Sequence, residues 1–170
     1  MISVVKKKWF AIYTKSRTEK IAADELISQG IEAYLPVKKT LRKWSDRKKW
    51  IEAPLFPSYV FVRINKWEAA KTITTPGVVN FVRFSGEPAA IPDKQIRMVK
   101  TIIASGHSYY VELEKPILGE KIIIEYGILK GIEGHIVEIR GKNNIVLEIA
   151  AINQYLVIEN VFENDETEKD

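Results

Sequence analysis

Pro54-Leu55-Phe56-Pro57-Ser58-Tyr59-Val60-Phe61-Val62-Arg63-Ile64 is the stretch whose reading decides the fold. Two prolines fix φ and supply no backbone N–H, so they stand at the mouth of a strand and not within a ladder. From Ser58 onward the residues alternate. Val60, Val62 and Ile64 share one face, which suits a core. Tyr59, Phe61 and Arg63 share the other, which ends in a guanidinium that needs a partner if buried. Either a helix covers Tyr59 and Phe61, or the ring face stays open for a partner. The strand by itself slightly favours the covered arrangement.

Upstream, Lys8-Trp9-Phe10-Ala11-Ile12-Tyr13-Thr14 reads as a second strand, with Phe10 and Ile12 on one face and Trp9, Ala11 and Tyr13 on the other. Ser16-Arg17-Thr18-Glu19 fits a capping box that opens a helix running to about residue 29. Ala22 with Leu26, and Ala23 with Ile27, form its apolar stripe, and Gly30 is placed to end it in the left-handed conformation. A strand is expected at 32–37. Downstream, a short helix at 67–74 is stopped by Thr75-Pro76-Gly77. A strand at 78–84, a turn at Ser85-Gly86-Glu87-Pro88 and a helix from Pro92-Asp93 to 104 follow. This order predicts an α+β domain over residues 1–104, with an antiparallel sheet flanked by helices.

Ser105-Gly106-His107-Ser108 breaks the pattern, and residues 105–116 read as a linker. Beyond it the texture becomes short strands, expected at 120–125, 133–140, 144–149 and 154–159. Such spacing in under about fifty residues predicts a small β-barrel over 117–160. Residues 161–170 form an acidic tail too polar to order itself.

Charge divides the same way. Residues 1–104 carry 20 Lys/Arg against 9 Asp/Glu, a net of +11, and residues 105–170 carry 6 against 13, a net of −7. The first part suits phosphate and the second is repelled by it. There is no cysteine, so no disulfide framework, thiolate metal site or thiol nucleophile. No apolar run reaches membrane-spanning length and the N-terminus lacks signal-peptide character, so a cytoplasmic protein without membrane contact is expected.

Two basic segments stand out. Residues 38–50 hold seven cations and one acid, interleaved with Trp44 and Trp50, and Ser45-Asp46 is a turn candidate. A protruding hairpin follows, with Arg42, Lys43, Arg47 and Lys48 for phosphate and Trp44 for stacking on an unpaired base. The alternative is a solvated hairpin whose tryptophans pack on the domain, and the two stand level. Lys15-Ser16-Arg17 is the second segment, placed at a helix N-terminus where N–H groups and the dipole favour an anion.

Four stretches together resemble the NusG family of transcription elongation factors. They are Trp9-Phe10-Ala11-Ile12-Tyr13-Thr14-Lys15, the Pro54–Val62 segment, Thr75-Pro76-Gly77-Val78-Val79-Asn80-Phe81-Val82, and Gly131-Ile132-Glu133-Gly134, which is similar to the core of a KOW motif. Phe81-Val82-Arg83-Phe84 and Ala90-Ile91-Pro92 look more like the operon-specific paralogues of the RfaH and UpxY types. The resemblance implies an NGN domain followed by an SH3-like KOW barrel with a turn at Gly131 and Gly134. It implies binding of the RNA polymerase clamp helices through an apolar patch, carried by motif position onto Tyr13, Phe56, Tyr59 and Phe61. It further implies suppression of pausing, contact with the non-template DNA strand, and a ribosomal protein or termination factor on the barrel. Strand alternation independently places Tyr59 and Phe61 on one face, which tips the reading toward an interface. Where RfaH-type members carry a basic residue before Gly77 this chain has Pro76. A general NusG factor and a ribosome- or RNA-associated KOW protein are the alternatives, the latter disfavoured by the barrel's acidic excess. A monomer is expected.

An enzyme is not expected, nor a cofactor or metal. His107 and His135 sit in no metal-spaced or triad-like arrangement, and no Gly-rich phosphate loop is present.

Overall fold

The computed structural model describes residues 5–139 and 141–162. The acidic tail from residue 163 lies outside the described residues. The chain divides into two compact units, Met1–Asp93 and Lys94–Asp170.

The first unit runs β1 (Lys8–Thr14), α1 (Glu19–Ser28), β2 (Glu32–Tyr34), β3 (Val37–Lys43), β4 (Lys48–Pro54), β5 (Tyr59–Ile64), α2 (Ala69–Ile73), β6 (Val78–Phe81), β7 (Arg83–Phe84), β8 (Glu87–Pro88) and β9 (Ala90–Ile91). An antiparallel sheet in the order β2-β5-β1-β6 forms its centre, with β9 also on β1. Its register pairs Phe10 with Val62, Ala11 with Phe61, Ile12 with Val60 and Tyr13 with Tyr59. The period-2 alternation therefore sorts residues as expected. Ile12, Val60, Val62 and Ile64 meet Ala23, Leu26 and Ile31 in one core. Fully burying a side chain such as Leu26 contributes about 1.5–3 kcal/mol.

The capping box does not form. α1 begins at Glu19, and Thr18 at its N-cap makes no side-chain cap bond. Arg17 is left-handed at φ 64°, and the Thr18 hydroxyl donates to Lys15 O at 2.7 Å. Glu19 does not reach back because its carboxylate accepts the Ser58 N–H at 2.8 Å. Ile27, assigned to the apolar stripe, is exposed, while Ala22, Ala23 and Leu26 are buried. Gly30 ends the helix at φ 81° as expected. The strand expected at 78–84 is broken at Val82, whose N–H turns to Ala11 O at 2.9 Å. β7 and β8 then form a tight hairpin around Ser85 and Gly86, both left-handed.

The second unit opens with α3 (Asp93–Ala104) and continues with β10 (Tyr109–Glu112), β11 (Lys121–Ile123), β12 (Glu133–Ile139), β13 (Lys142–Ile149), a 3-10 turn at Ala150–Ile152, and β14 (Gln154–Ile158). The sheet order is β10-β14-β13-β12-β11, all antiparallel. Val137, Val146, Tyr155 and Val157 form a core under Tyr110, Leu118 and Ile139.

Two boundaries differ from the sequence reading. α3, assigned there to the first domain, groups with the second unit. Lys94 pairs with Glu133, and Gln95 Nε2 donates to Glu148 O at 2.7 Å. The segment 105–116, read as a linker, contributes β10. Tyr-Tyr-Val suits a strand, but its partner β14 lies far downstream and local periodicity cannot reveal it.

Gly131 and Gly134 do different work. Gly131 turns the chain at φ 86°, whereas Gly134 lies inside β12. A Cβ there would stand 2.6 Å from Ile145 Cγ2 and 2.8 Å from Val146 O, so only glycine fits against β13. The expectation of a turn at both glycines holds for Gly131 alone.

Candidate functional site

Two surfaces of the first unit carry the candidate residues. One is a tyrosine pair at the mouth of β5. Tyr13 and Tyr59 face each other across β1 and β5 with ring centroids 5.0 Å apart and planes tilted by 40°. Tyr13 is 40% exposed and Tyr59 half-buried. Burial first, then the Tyr13 hydroxyl bonded to it and that group's charge, push the Tyr59 phenol up to about 12. The pair presents two apolar ring edges and two hydroxyls.

Phe56 and Phe61, carried over with them, are not part of that surface. Both are fully buried at 0% exposure. Phe61 meets Phe56 edge-on at 5.9 Å and stacks on Tyr34 at 6.4 Å. The reading of an uncovered ring face from Tyr59 through Phe61 is thus corrected: it ends at Tyr59. The physical reason is the stacking of large rings from β2, β5 and the Pro54–Pro57 turn, which strand alternation does not register. Arg63, next along, finds the partners its charge requires in Asp93 at 3.3 Å and Glu32 at 3.5 Å.

The second surface is an open cleft of about 710 Å³ between the start of α1 and the β3–β4 hairpin. Ser16, Arg17 and Lys20 line one wall with Glu19 and Asp24, and Arg42, Ile51 and Ala53 line the other with Glu52, so three cations share the cleft with three acidic residues. The hairpin forms as expected, closed by Trp44 N donating to Arg47 O at 2.7 Å. Trp44 and Trp50 are 53% and 67% exposed, so neither packs on the domain. Cross-strand register divides the hairpin's cations. Arg42 pairs with Lys49 on the face that carries Ile51, toward the cleft. Lys43 pairs with Lys48 on the opposite face, beside the Leu41–Trp50 pair. Arg47 at the tip lies 4.0 Å from Asp46. Among the described residues Lys15, Arg17, Lys20, Arg42, Lys43 and Lys48 form no ion pair.

Lys15 is fixed from below. Its N–H donates to Gly77 O at 2.9 Å, and Gly77 sits at φ 87°, where a Cβ would be strained and would stand 3.1 Å from Thr18 Oγ1 and 3.3 Å from Ala22 Cβ. Lys20 was missed by the sequence reading. It lies in the first turn of α1, and Arg17 reaches the same cleft from the left-handed turn before the helix, which no helical spacing reveals.

In the second unit an apolar hollow of about 390 Å³ is lined by Ile122, Ile124, Ile128, Leu129 and Phe162 among others. Ile123, Tyr126 and Ile128 stand exposed at its edge. His107 Nδ1 lies 3.2 Å from Ser105 Oγ, and His135 Nδ1 lies 3.2 Å from Gly119 O. Among the described residues no three His, Cys, Asp or Glu side chains gather as a metal site, and no helix is long and apolar enough to cross a membrane.

The fold is thus an antiparallel α+β unit followed by a five-stranded antiparallel KOW-like unit. The family described as "Transcription termination factor nusG" matches residues 7–100. The chain belongs to the NusG family. It is 22% identical over 158 residues to the transcription termination/antitermination protein NusG of Chlamydia pneumoniae, covering 84% of this chain and 85% of that one. It is 27% identical over 146 residues to the same-named protein of Lactococcus lactis, covering 78% of each. The solved structure "Domain interaction in Thermotoga maritima NusG" shares the fold, with a TM-score of 0.50 at 23% identity over 90% of this chain and 93% of that one. These relatives make it a transcription termination/antitermination factor.

Proposed function

We propose that the chain binds RNA polymerase at the clamp helices through Tyr13 and Tyr59, and suppresses pausing or termination. The single observation that carries this is the tyrosine pair held 5.0 Å apart at the surface by the β1–β5 register. Tyrosine suits an interface because it offers a large rigid contact with a polar tip. Phe56 and Phe61 are buried and make no contact with the partner. Tyr13→Ala with Tyr59→Ala, assayed for binding to core RNA polymerase, should weaken association at least about 30-fold, the equivalent of one interface anchor of about 2 kcal/mol. Unchanged binding by the folded double variant refutes the reading.

The cleft between α1 and the hairpin is the proposed path for the non-template DNA strand. Arg17, Lys20 and Arg42 face a common space with Ser16, and Lys15 precedes them in the chain. Cations without carboxylate partners are free for phosphate, and exposed Trp44 is free to stack on a base. The KOW unit recruits a second protein, a ribosomal protein or a termination factor, through Ile123, Tyr126 and Ile128. Its acidic excess keeps nucleic acid away from that surface. The operon-specific reading rests on Phe81-Val82-Arg83-Phe84 and Ala90-Ile91-Pro92, and reporter transcription across unrelated operons tests it.

A further inference from the structure

Glu19 is buried at the edge of the cleft beside α1, and the cations proposed to hold the strand leave its carboxylate without an ion pair among the described residues. It opens α1, yet its Oε1 accepts a hydrogen bond from the Ser58 N–H, 39 positions along the chain, at 2.8 Å. Ser58 is the residue immediately before Tyr59. It is left-handed at φ 67°, a conformation that a non-glycine residue adopts only when its surroundings impose it. Its carbonyl accepts from Thr14 N at 2.9 Å, and the next N–H, that of Tyr59, donates to Phe56 O at 3.2 Å. Ser58 is thus clasped at both ends, by the carboxylate on its N–H and by β1 on its carbonyl. Pro57 before it has no N–H to contribute.

From this geometry we infer that Glu19 is the positioning residue for the Tyr13–Tyr59 surface: its carboxylate oxygen holds the strained Ser58 turn that sets where β5 begins and how Tyr59 meets Tyr13. The inference rests on the function proposed for the tyrosine pair but is tested apart from it. Without an acceptor on Glu19, the Ser58 N–H is left partly buried and unpaired, which disfavours the observed turn. Ser58 then relaxes out of the left-handed region, and the first pair of the β1–β5 ladder, Tyr13 opposite Tyr59, separates. The elevated titration of Tyr59, which depends in part on the Tyr13 hydroxyl, reports the same contact.

Three variants of the full chain separate positioning from simple loss of stability. Glu19→Gln keeps an acceptor oxygen at the same reach, Glu19→Asp keeps the charge but falls one methylene short, and Glu19→Ala removes both. The readouts are ring-to-ring nuclear Overhauser contacts between Tyr13 and Tyr59, and the ultraviolet titration of Tyr59. Neither involves polymerase, so a failed polymerase assay leaves this test standing. The expected result is that Glu19→Gln retains the ring contact and the titration, while Glu19→Asp and Glu19→Ala lose the contact and titrate lower. If Glu19→Ala does not fold, the comparison of Glu19→Gln with Glu19→Asp decides alone. Retention of the ring contact and titration by Glu19→Asp overturns the inference, as does their loss in Glu19→Gln. Given polymerase binding by the wild type, affinity should fall about tenfold or more in Glu19→Asp and hold in Glu19→Gln.

Discussion

Phe61→Ala distinguishes a buried core ring from the rings proposed to form the interface. Phe61 is fully buried, edge-on to Phe56 at 5.9 Å and stacked on Tyr34 at 6.4 Å. Its cross-strand partner is Ala11, which is too small to move into the space a lost ring leaves. Truncating such a side chain to alanine costs about 3–5 kcal/mol, the transfer term plus the cavity. In a unit of this size each kcal/mol moves the midpoint by about 4–8 °C, so thermal unfolding should fall by roughly 12–40 °C. Tyr13→Ala removes a ring that is 40% exposed and a cross-strand pair worth about 0.2–1 kcal/mol. Urea unfolding followed by circular dichroism measures both, and binding to core polymerase is then measured under conditions where each variant is folded. Phe61→Ala should be strongly destabilised, and Tyr13→Ala nearly as stable as wild type but deficient in binding. If Phe61→Ala unfolds within about 0.5 kcal/mol of wild type and yet loses binding, the ring is a contact residue and the assignment of a buried support is wrong.

Tyr59 holds its proton to about pH 12 because of burial and Tyr13, above the unfolded tyrosine value of 10.0. The fold therefore binds that proton more tightly than the unfolded chain does. Stability from this group is fully present below pH 10 and declines between about pH 10 and 12, by on the order of 1 kcal/mol after solvent screening. Tyr13→Phe should lower the Tyr59 titration while leaving it above 10.0, since burial persists; an unmoved titration curve would show that the hydroxyls do not interact. Single-stranded DNA binding should weaken with salt at a slope of about −0.7 per phosphate contacted, and Arg42→Ala should reduce that slope by about one contact. A slope identical to wild type removes Arg42 from the DNA path. Gly134→Ala forces a Cβ against Ile145 and Val146 O and should destabilise the KOW unit by about 1–3 kcal/mol, read as an earlier urea midpoint; a neutral effect means β12 and β13 can separate at no cost.

The sequence carried the alternation of β1 and β5, the hairpin within 38–50 and the all-strand texture after 117, because each is local and periodic. What it could not carry was lateral. Tyr59 and Phe61 share a face, and alternation treats them alike. Only the stacking of Tyr34 and Phe56 on Phe61 makes one a surface and the other a core. The same holds for β10, whose partner β14 is set by sheet closure and not by its own residues. The two basic segments read separately as a helix N-terminus and a hairpin. Their meeting as Arg17, Lys20 and Arg42 along one cleft depends on how α1 lies beside β4.

Glu19 shows how a correct local signal can have another structural outcome. Ser-x-x-Glu marks the start of a helix, and a helix does start there. A reciprocal cap would satisfy two N–H groups of α1 and leave the Ser58 N–H without its acceptor. The observed bond instead ties α1 to β5, so the helix start relinquishes its own cap and the strand entry becomes fixed. A helix N-terminus has water available for its free N–H groups at an exposed loop, and Ser16 and Arg17 are exposed. The half-buried Ser58 has less access to water. The carboxylate goes where its absence would be costlier, and that choice joins the wall of the α1–hairpin cleft to the base of the tyrosine pair.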